Sequence, residues 1–193
     1  GFTLAESDEL DAFMRQHPDL IDGAQFTIAR SVSSWATARS LSGFAAQTGC
    51  APVLYAKSTE ASPAEEFNDP VENAKRFAET TLAGIGFGID VVLDTMDDAD
   101  RGYFTRTGLV DRRFNPRLAG ELISAIALET VEGGWTAASG DSPVLEKAGQ
   151  RLWVGEACEA SDGDWICPRS GLRAAPGDTP QTELILRIGS GAG

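Results

Sequence analysis

The sequence has very little histidine and cysteine, and far fewer basic than acidic residues. Its 193 residues include one histidine, His17, and three cysteines, with 16 Lys plus Arg against 29 Asp plus Glu. One histidine excludes a histidine-rich metal site within a single chain, and a Ser-His-Asp triad would have to use His17. The net charge of −13 argues against binding along nucleic acid or on an anionic membrane. We therefore expect no nucleic acid and no membrane among the partners.

Long apolar runs are also missing, and the cysteines are too few for a disulfide scaffold. No run approaches the roughly 18 to 20 residues of a membrane-spanning helix. Cys158 and Cys167 bracket a short, turn-rich stretch, which suits one disulfide and, if formed, indicates a secreted or periplasmic protein. Two reduced thiols in a cytoplasmic protein are the alternative. Cys50 follows a helix end and precedes an apolar strand, so we expect it to be a small core residue.

What the sequence does contain is a regular alternation of strand and helix patterns. Capping residues and prolines predict helices that begin near Ser33 or Ser34, at Asp69-Pro70 and at Asn115-Pro116. The strands are apolar runs, which is typical of a parallel sheet in an α/β fold. Either a doubly wound sheet or part of a (β/α)8 barrel satisfies this order. The predicted strands are 25–30, 53–57 and 89–94.

The C-terminal third has a different pattern. From Gly133 onward the sequence has short β-like pieces around Trp135, 152–154, 165–166 and 184–188. Short strands separated by turn residues favour a β-rich unit. We therefore expect one domain over 1–130 and a β-rich appendage over 131–193.

Two motifs resemble a nucleotide-binding loop and a calcium-binding loop but lack the features that such loops need to bind their ligands. The three glycines of 84–88 lie between a helix and the next strand, whereas a phosphate loop lies between a strand and the next helix. A helix C-cap and tight turn is the simpler interpretation. The acidic run 94–100 lacks the glycine and the distal acid of a calcium loop. We expect neither a cofactor nor a metal.

Two stretches carry a resemblance to a known family. The first is PVLYAKSTEASP at 52–63, and the second begins GIDVVLDTMDDAD at 88 and continues through GLVDRRFNPRLAGELISAI to 126. They resemble the last two βα units of a retaining glycoside hydrolase of the large (β/α)8 clan. The phrase formed by Gly108–Asp111 and Asn115–Ala119 is similar to one that follows the closing strand in that clan. The likeness covers about residues 20–130.

The resemblance implies that the three strands are the sixth, seventh and eighth of a barrel. It places Glu60 at the nucleophile position after the seventh strand, where a carboxylate attacks the anomeric carbon. A closed barrel typically takes about 250 residues. We therefore expect 1–130 to be the C-terminal portion of a barrel, completed by the missing portion of the protein or by another copy of the chain.

Ligands of such folds bind at the carboxyl ends of the strands, which selects the other candidates. Trp35 either stacks on a sugar ring or belongs to the core, and Asp94 and Tyr103 are placed to hydrogen-bond sugar hydroxyls. Arg30, at the end of the first strand, either binds substrate or forms an ion pair at the barrel rim. With Glu60 these residues are the expected carbohydrate site.

Two rival functions remain open at this stage. In the clan the acid/base glutamate lies at the end of the fourth strand, and no position of this chain corresponds to it. A non-catalytic carbohydrate-binding or interaction protein is therefore the first alternative. The second is a lysine-dependent aldolase, because a buried lysine such as Lys57 on a barrel strand can form a Schiff base.

Overall fold

The computed structural model describes most of the chain. The described residues are 7–17, 20–28, 31–57, 69–94, 96, 108–156, 164–174, 178, 180 and 182–190. Four helices and nine strands lie within these ranges. The helices are α1 (Ser7–Gln16), α2 (Ser34–Thr48), α3 (Pro70–Phe87) and α4 (Leu118–Thr130). Among the described residues, no helix has the length and hydropathy needed to cross a bilayer.

The first sheet is parallel and contains three strands. They are β1 (Gly23–Ile28), β2 (Ala51–Lys57) and β3 (Asp90–Asp94). Their spatial order is the sequence order, β1-β2-β3, with Phe26 opposite Leu54 and Tyr55 opposite Val92. The prediction of an α/β fold with a parallel sheet is therefore confirmed. The strands of the described residues do not close into a barrel.

The two faces of this sheet differ in burial. One face carries Phe26 and Leu54, which are completely buried against the helices. The alternate residues Gln25, Tyr55 and Val92 are half-buried or exposed. Side chains alternate between faces along a strand, so the sheet has one covered face and one open face.

The second sheet is antiparallel, and it comes from the C-terminal third, where the sequence predicted β structure. Its six strands have the order β4-β5-β6-β9-β7-β8. Central strands β6 and β9 pair over seven residues each. The strands are β4 (Thr136–Ala137), β5 (Leu145–Lys147), β6 (Gln150–Glu156), β7 (Asp164–Ile166), β8 (Arg173–Ala174) and β9 (Leu184–Ser190).

Helix α3 lies between the two sheets. It contacts β2 and β3 on one side and β4, β5 and β6 on the other, and it packs beside α2 and α4. Helix α4 also contacts β9. A single hydrophobic cluster extends from Phe26 of β1 through Phe77 of α3 to Leu152 of β6. The β-rich segment thus shares its core with the α/β segment.

The helix ends show which capping predictions were right. Ser33 caps α2 through its hydroxyl, and Gly49 ends that helix in the left-handed conformation. Asp69 accepts the backbone N–H groups of Val71 and Glu72 at the start of α3, as its sequence position predicted. The predicted cap at Asn115-Pro116 was wrong. Helix α4 begins at Leu118, and Pro116 instead forms a β-bridge with Val110.

The prediction that the glycines of 84–88 form a helix C-cap and tight turn was only partly right. Only Gly88 ends α3 in the left-handed conformation, whereas Gly84 and Gly86 lie inside the helix. A Cβ on Gly84 would collide with the side chain of Val91 and lie 2.8 Å from the Ile89 carbonyl oxygen. A Cβ on Gly86 would lie 3.2 Å from the Cα of Ala137. These two glycines let α3 approach both sheets.

We predict that Gly84→Ala destabilises the protein, although alanine is the better helix former. The added methyl group has no room against β3, and overpacking of this kind costs about 1–3 kcal/mol. Gly43 of α2 is the matched control, because nothing lies within 4 Å of its Cβ position. Gly43→Ala should raise the free energy of unfolding by roughly 0.5–1 kcal/mol. Denaturant unfolding of both variants measures the contrast, and an equal gain in both would contradict this account.

Candidate functional site

Arg76 joins the carboxyl ends of β1 and β2. Its guanidinium donates from Nη1 to the Lys57 carbonyl oxygen at 2.7 Å and from Nη2 to the Ile28 carbonyl oxygen at 3.0 Å. These carbonyls belong to the last residues of their strands, where the sheet ladder ends. The arginine therefore holds the strand ends together at the edge where parallel α/β folds bind ligands.

Tyr55 and Asp94 form a hydrogen-bonded pair on the open face of the parallel sheet. The Tyr55 hydroxyl donates to Oδ2 of Asp94 at 2.6 Å. This hydrogen bond to a carboxylate, with smaller contributions from burial and from the Asp94 charge, raises the pKa of Tyr55 above its usual value. Since the phenol proton is donated to Asp94, the Tyr55 oxygen and the carboxylate remain as acceptors for the hydroxyl groups of a ligand.

Lys57 lies directly opposite Asp94 in the strand register. Its side chain is exposed, with Nζ 5.6 Å from the centroid of the Tyr55 ring. The aldolase hypothesis assumed a buried lysine, so the structure does not provide the environment on which it depends. Lys57 instead adds a positive charge beside the Tyr55–Asp94 pair.

The structure places Trp35 in the core. Its side chain is 1% exposed, its ring centroid lies 4.9 Å from that of Phe87, and its indole N–H donates to the Gly140 carbonyl oxygen at 3.4 Å. Neither ring face is open to a sugar, so we assign Trp35 to the junction between α2, α3 and the loop after β4. Of the other expected site residues, Asp94 is described above, while Arg30, Glu60 and Tyr103 lie outside the described residues.

A polar cleft lies between the N-terminal ends of α3 and α4. Its volume is about 240 Å³, and the segment 108–117, which precedes α4, forms one wall. Arg117 and Arg169 supply positive charge, and Asp111, Glu121 and Glu183 supply negative charge. The remaining lining residues are Pro70, Asn73, Gly108, Asn115, Pro116, Leu118, Ala119 and Thr182.

Several polar groups of this cleft already have partners within the chain. Asp111 accepts the backbone N–H groups of Arg113 and Asn115 and the Asn115 side-chain amide. These hydrogen bonds, above all the one from the Asn115 side chain, lower the pKa of Asp111. Glu121 pairs with Arg169 at 3.2 Å. These side chains therefore stabilise the wall of the cleft itself. Asp111 stabilises the turn 111–115 through its hydrogen bonds to Arg113 and Asn115.

Cys167 is a free thiol. The predicted disulfide with Cys158 is thus not formed, and the inference of an oxidising compartment loses its basis; Cys158 itself lies outside the described residues. Burial raises the pKa of Cys167, but hydrogen bonds from the Ser170 hydroxyl and from the backbone of Ser170 and Arg169 outweigh burial, so the net shift is downward. The other described cysteine, Cys50, is buried in the core as expected.

No protein-family model, curated protein or solved structure matched this chain. Within the ranges that the structure describes, no three His, Cys, Asp or Glu side chains come together as a metal site.

The sequence analysis missed Tyr55 and Arg76. Tyr55 was detectable, because it lies two residues before Lys57 and a strand repeats its faces every two residues. Arg76 had no such signal. It lies in the second turn of α3, and only the packing of that helix against the sheet brings its guanidinium to two strand ends.

Because of its hydrogen bond to Asp94, Tyr55 should titrate with a raised pKa. The chain has two tyrosines, so Tyr103→Phe leaves Tyr55 as the only phenol. We expect its absorbance titration to lie above the ordinary value of about 10, and Asp94→Asn in the same background to move it downward. Because the folded-state pKa is raised, the associated stability is complete below about pH 10 and is lost as the pH rises through the folded pKa. If the Tyr55 pKa were the same with and without the Asp94 carboxylate, the Tyr55–Asp94 hydrogen bond would be refuted.

The two described cysteines should differ in reactivity. Burial raises the pKa of Cys50, with a further contribution from Asp22, whereas the pKa of Cys167 is lowered. Because thiolates are the reactive species, iodoacetamide should modify Cys167 faster than Cys50 in the native protein. Ser170→Ala should slow the Cys167 reaction, and peptide mapping by mass spectrometry assigns each site. Faster labelling of Cys50 would contradict the structure.

Proposed function

We propose that this chain provides consecutive βα units of a (β/α)8 barrel that acts on carbohydrate by retaining hydrolysis, with Glu60 as the nucleophile. The observation that carries the proposal is the arrangement of the parallel sheet. Its three strands follow one another in sequence order, α2 and α3 pack on a single face, and polar groups occupy the opposite face near the strand ends.

The one-sided packing favours a barrel over a doubly wound sheet. In a barrel all helices lie outside and the inner face carries the ligand-binding residues, whereas a doubly wound sheet has helices on both faces. Here Phe26 and Leu54 are completely buried on the helix side, and Tyr55 and Val92 are on the open side. The antiparallel sheet packs on the outer side of the helices, so it leaves the open face uncovered.

The position of Glu60 in the sequence fits the nucleophile role. It follows Lys57, the last residue of β2, by three residues, so at most about 11 Å of extended chain separates it from the strand end. The Tyr55–Asp94 pair lies at the same end of the sheet, where it can bind hydroxyl groups of a sugar. In retaining glycosidases a second carboxyl group about 5–5.5 Å from the nucleophile protonates the leaving oxygen.

A carbohydrate-binding protein without catalysis is the second candidate. It is favoured by the Tyr55–Asp94 pair, whose oxygens can accept hydrogen bonds from sugar hydroxyls without any catalytic step. Such a protein would use the same polar open face but would turn over no substrate. A chemical test of the nucleophile that does not require an acid catalyst distinguishes the two candidates.

Fluorinated sugars provide that test. A 2-deoxy-2-fluoroglycosyl fluoride carries a leaving group that needs no protonation, so a nucleophilic carboxylate alone forms the stable glycosyl ester. We expect the protein as encoded by its gene to gain one sugar on Glu60 with at least one member of a panel of such compounds. Intact mass and peptide mapping measure the adduct, and hydrolysis of aryl glycosides should fall by on the order of a thousandfold in Glu60→Gln.

Matched variants make the result specific. Glu65→Gln removes an acid five residues further along the sequence and should label like the wild type, while Glu60→Gln should not label at all. Sugar binding by calorimetry without any adduct would reject the hydrolase and support the binding protein. Neither binding nor labelling with any sugar would reject both.

A further inference from the structure

Phe114 presents an aromatic ring to solvent beside the polar cleft. It is 76% exposed, more than any other aromatic residue that the structure describes. Asp111 and Asn115, which belong to the same turn, line the cleft. An aromatic face next to polar groups is the combination that binds a sugar ring, because the faces of the sugar carry C–H groups and its rim carries hydroxyl groups.

Hydrogen bonds restrain the turn 111–115 that carries this ring. The Phe114 N–H donates to the Asp111 carbonyl oxygen at 2.9 Å, and the Asp111 N–H donates to the Asn115 carbonyl oxygen at 2.9 Å. The Asp111 carboxylate accepts the backbone N–H groups of Arg113 and Asn115, at 2.7 and 2.9 Å, and the Asn115 side-chain amide. The backbone under the ring is therefore ordered before any ligand binds, which lowers the entropy cost of binding.

The backbone of Phe114 is strained. Its φ is +61°, in the left-handed region that bulky residues rarely adopt and that glycine and asparagine tolerate. The ring is mostly exposed, so it makes few packing contacts that could compensate for the strain. Strained residues of this kind cluster at ligand-binding and active sites, where the side chain is needed in that position. A phenylalanine here therefore indicates a ligand for the ring.

The turn lies at the ligand-binding edge of the parallel sheet. It belongs to the segment between β3 and α4, and in parallel α/β folds the segments that follow the carboxyl ends of strands bind ligands. Val110, at the start of the turn, donates its N–H to the Met96 carbonyl oxygen at 3.0 Å. Met96 is two residues beyond Asp94, the last residue of β3. The turn is thus joined to the strand end that carries the Tyr55–Asp94 pair.

Arg113 supplies hydrogen-bond donors next to the ring. Its side chain is exposed, and no hydrogen bond or ion pair joins its guanidinium to another described residue. A guanidinium has five N–H donors and no acceptor, which suits the oxygen atoms of a sugar. We propose that Phe114 stacks on a sugar unit of a carbohydrate ligand, next to the unit bound near the Tyr55–Asp94 pair, and that Arg113 donates to its oxygen atoms. This inference rests on the proposed carbohydrate function and adds a second sugar subsite to it.

Calorimetric titration of the protein as encoded by its gene tests the second subsite. In a Glu60→Gln background, which prevents turnover, each variant is titrated with glucose, galactose, mannose and xylose and with α- and β-linked trisaccharides of each. A trisaccharide occupies both subsites, whereas a monosaccharide occupies one. We expect Phe114→Asn to reduce the gain in affinity from monosaccharide to trisaccharide about tenfold or more, because the contact with the phenyl ring is lost. Phe114→Trp should retain that gain.

Ala148→Asn is the matched control. Ala148 is the other described non-glycine residue with a positive φ, +50°, and it lies in the turn between β5 and β6. Because asparagine tolerates this region, both asparagine variants should keep or raise the melting temperature, but only Phe114→Asn should lose trisaccharide affinity. A parent protein that binds no sugar at all would reject the carbohydrate function itself. Equal trisaccharide affinity of Phe114→Asn and its parent would overturn only the second subsite, and so would a lower melting temperature of Phe114→Asn, because the ring would then serve the fold.

Discussion

The close packing of α3 between two sheets is the contact on which the rest of the structure depends. Gly84 removes a side chain where α3 meets β3, and Gly86 removes one where it meets β4 and β5. The helix can therefore bury both sides, with Phe77 and Leu82 completely enclosed. Because core packing is as dense as an organic crystal, an added methyl group at Gly84 would push the helix off the parallel sheet.

The same helix connects the core to the candidate site. The Arg76 side chain extends from α3 and donates hydrogen bonds to carbonyl groups at the carboxyl ends of β1 and β2. One turn later in the same helix, the Thr80 hydroxyl is hydrogen-bonded to the buried Ser34 hydroxyl at 2.7 Å. A helix thereby connects the two strand ends. A site positioned in this way keeps its polar groups, such as the Tyr55–Asp94 pair, in a defined orientation on the open face.

The two faces of the α/β layer have separate roles. The helix side is buried, because the antiparallel sheet packs against α3 and α4. Leu152 and Leu186 of that sheet belong to the same hydrophobic cluster as the helices. Within the part of the chain that the structure describes, the other face of β1-β2-β3 is open near the strand ends.

The sequence by itself determined the local structure: the α/β order, the caps at Ser33, Gly49 and Asp69, and the change to β structure after residue 133. These depend on interactions between near neighbours, such as a side chain and the next free N–H groups. Only the tertiary structure decided why Gly84 and Gly86 are glycines, why Trp35 is buried, and that Arg76 reaches two strand ends. Each depends on residues distant in sequence that packing brings together, which no local pattern reports. The sequence places Asp94 at a strand end and Tyr55 on the same strand face as Lys57, whereas only the register between β2 and β3 pairs the two side chains.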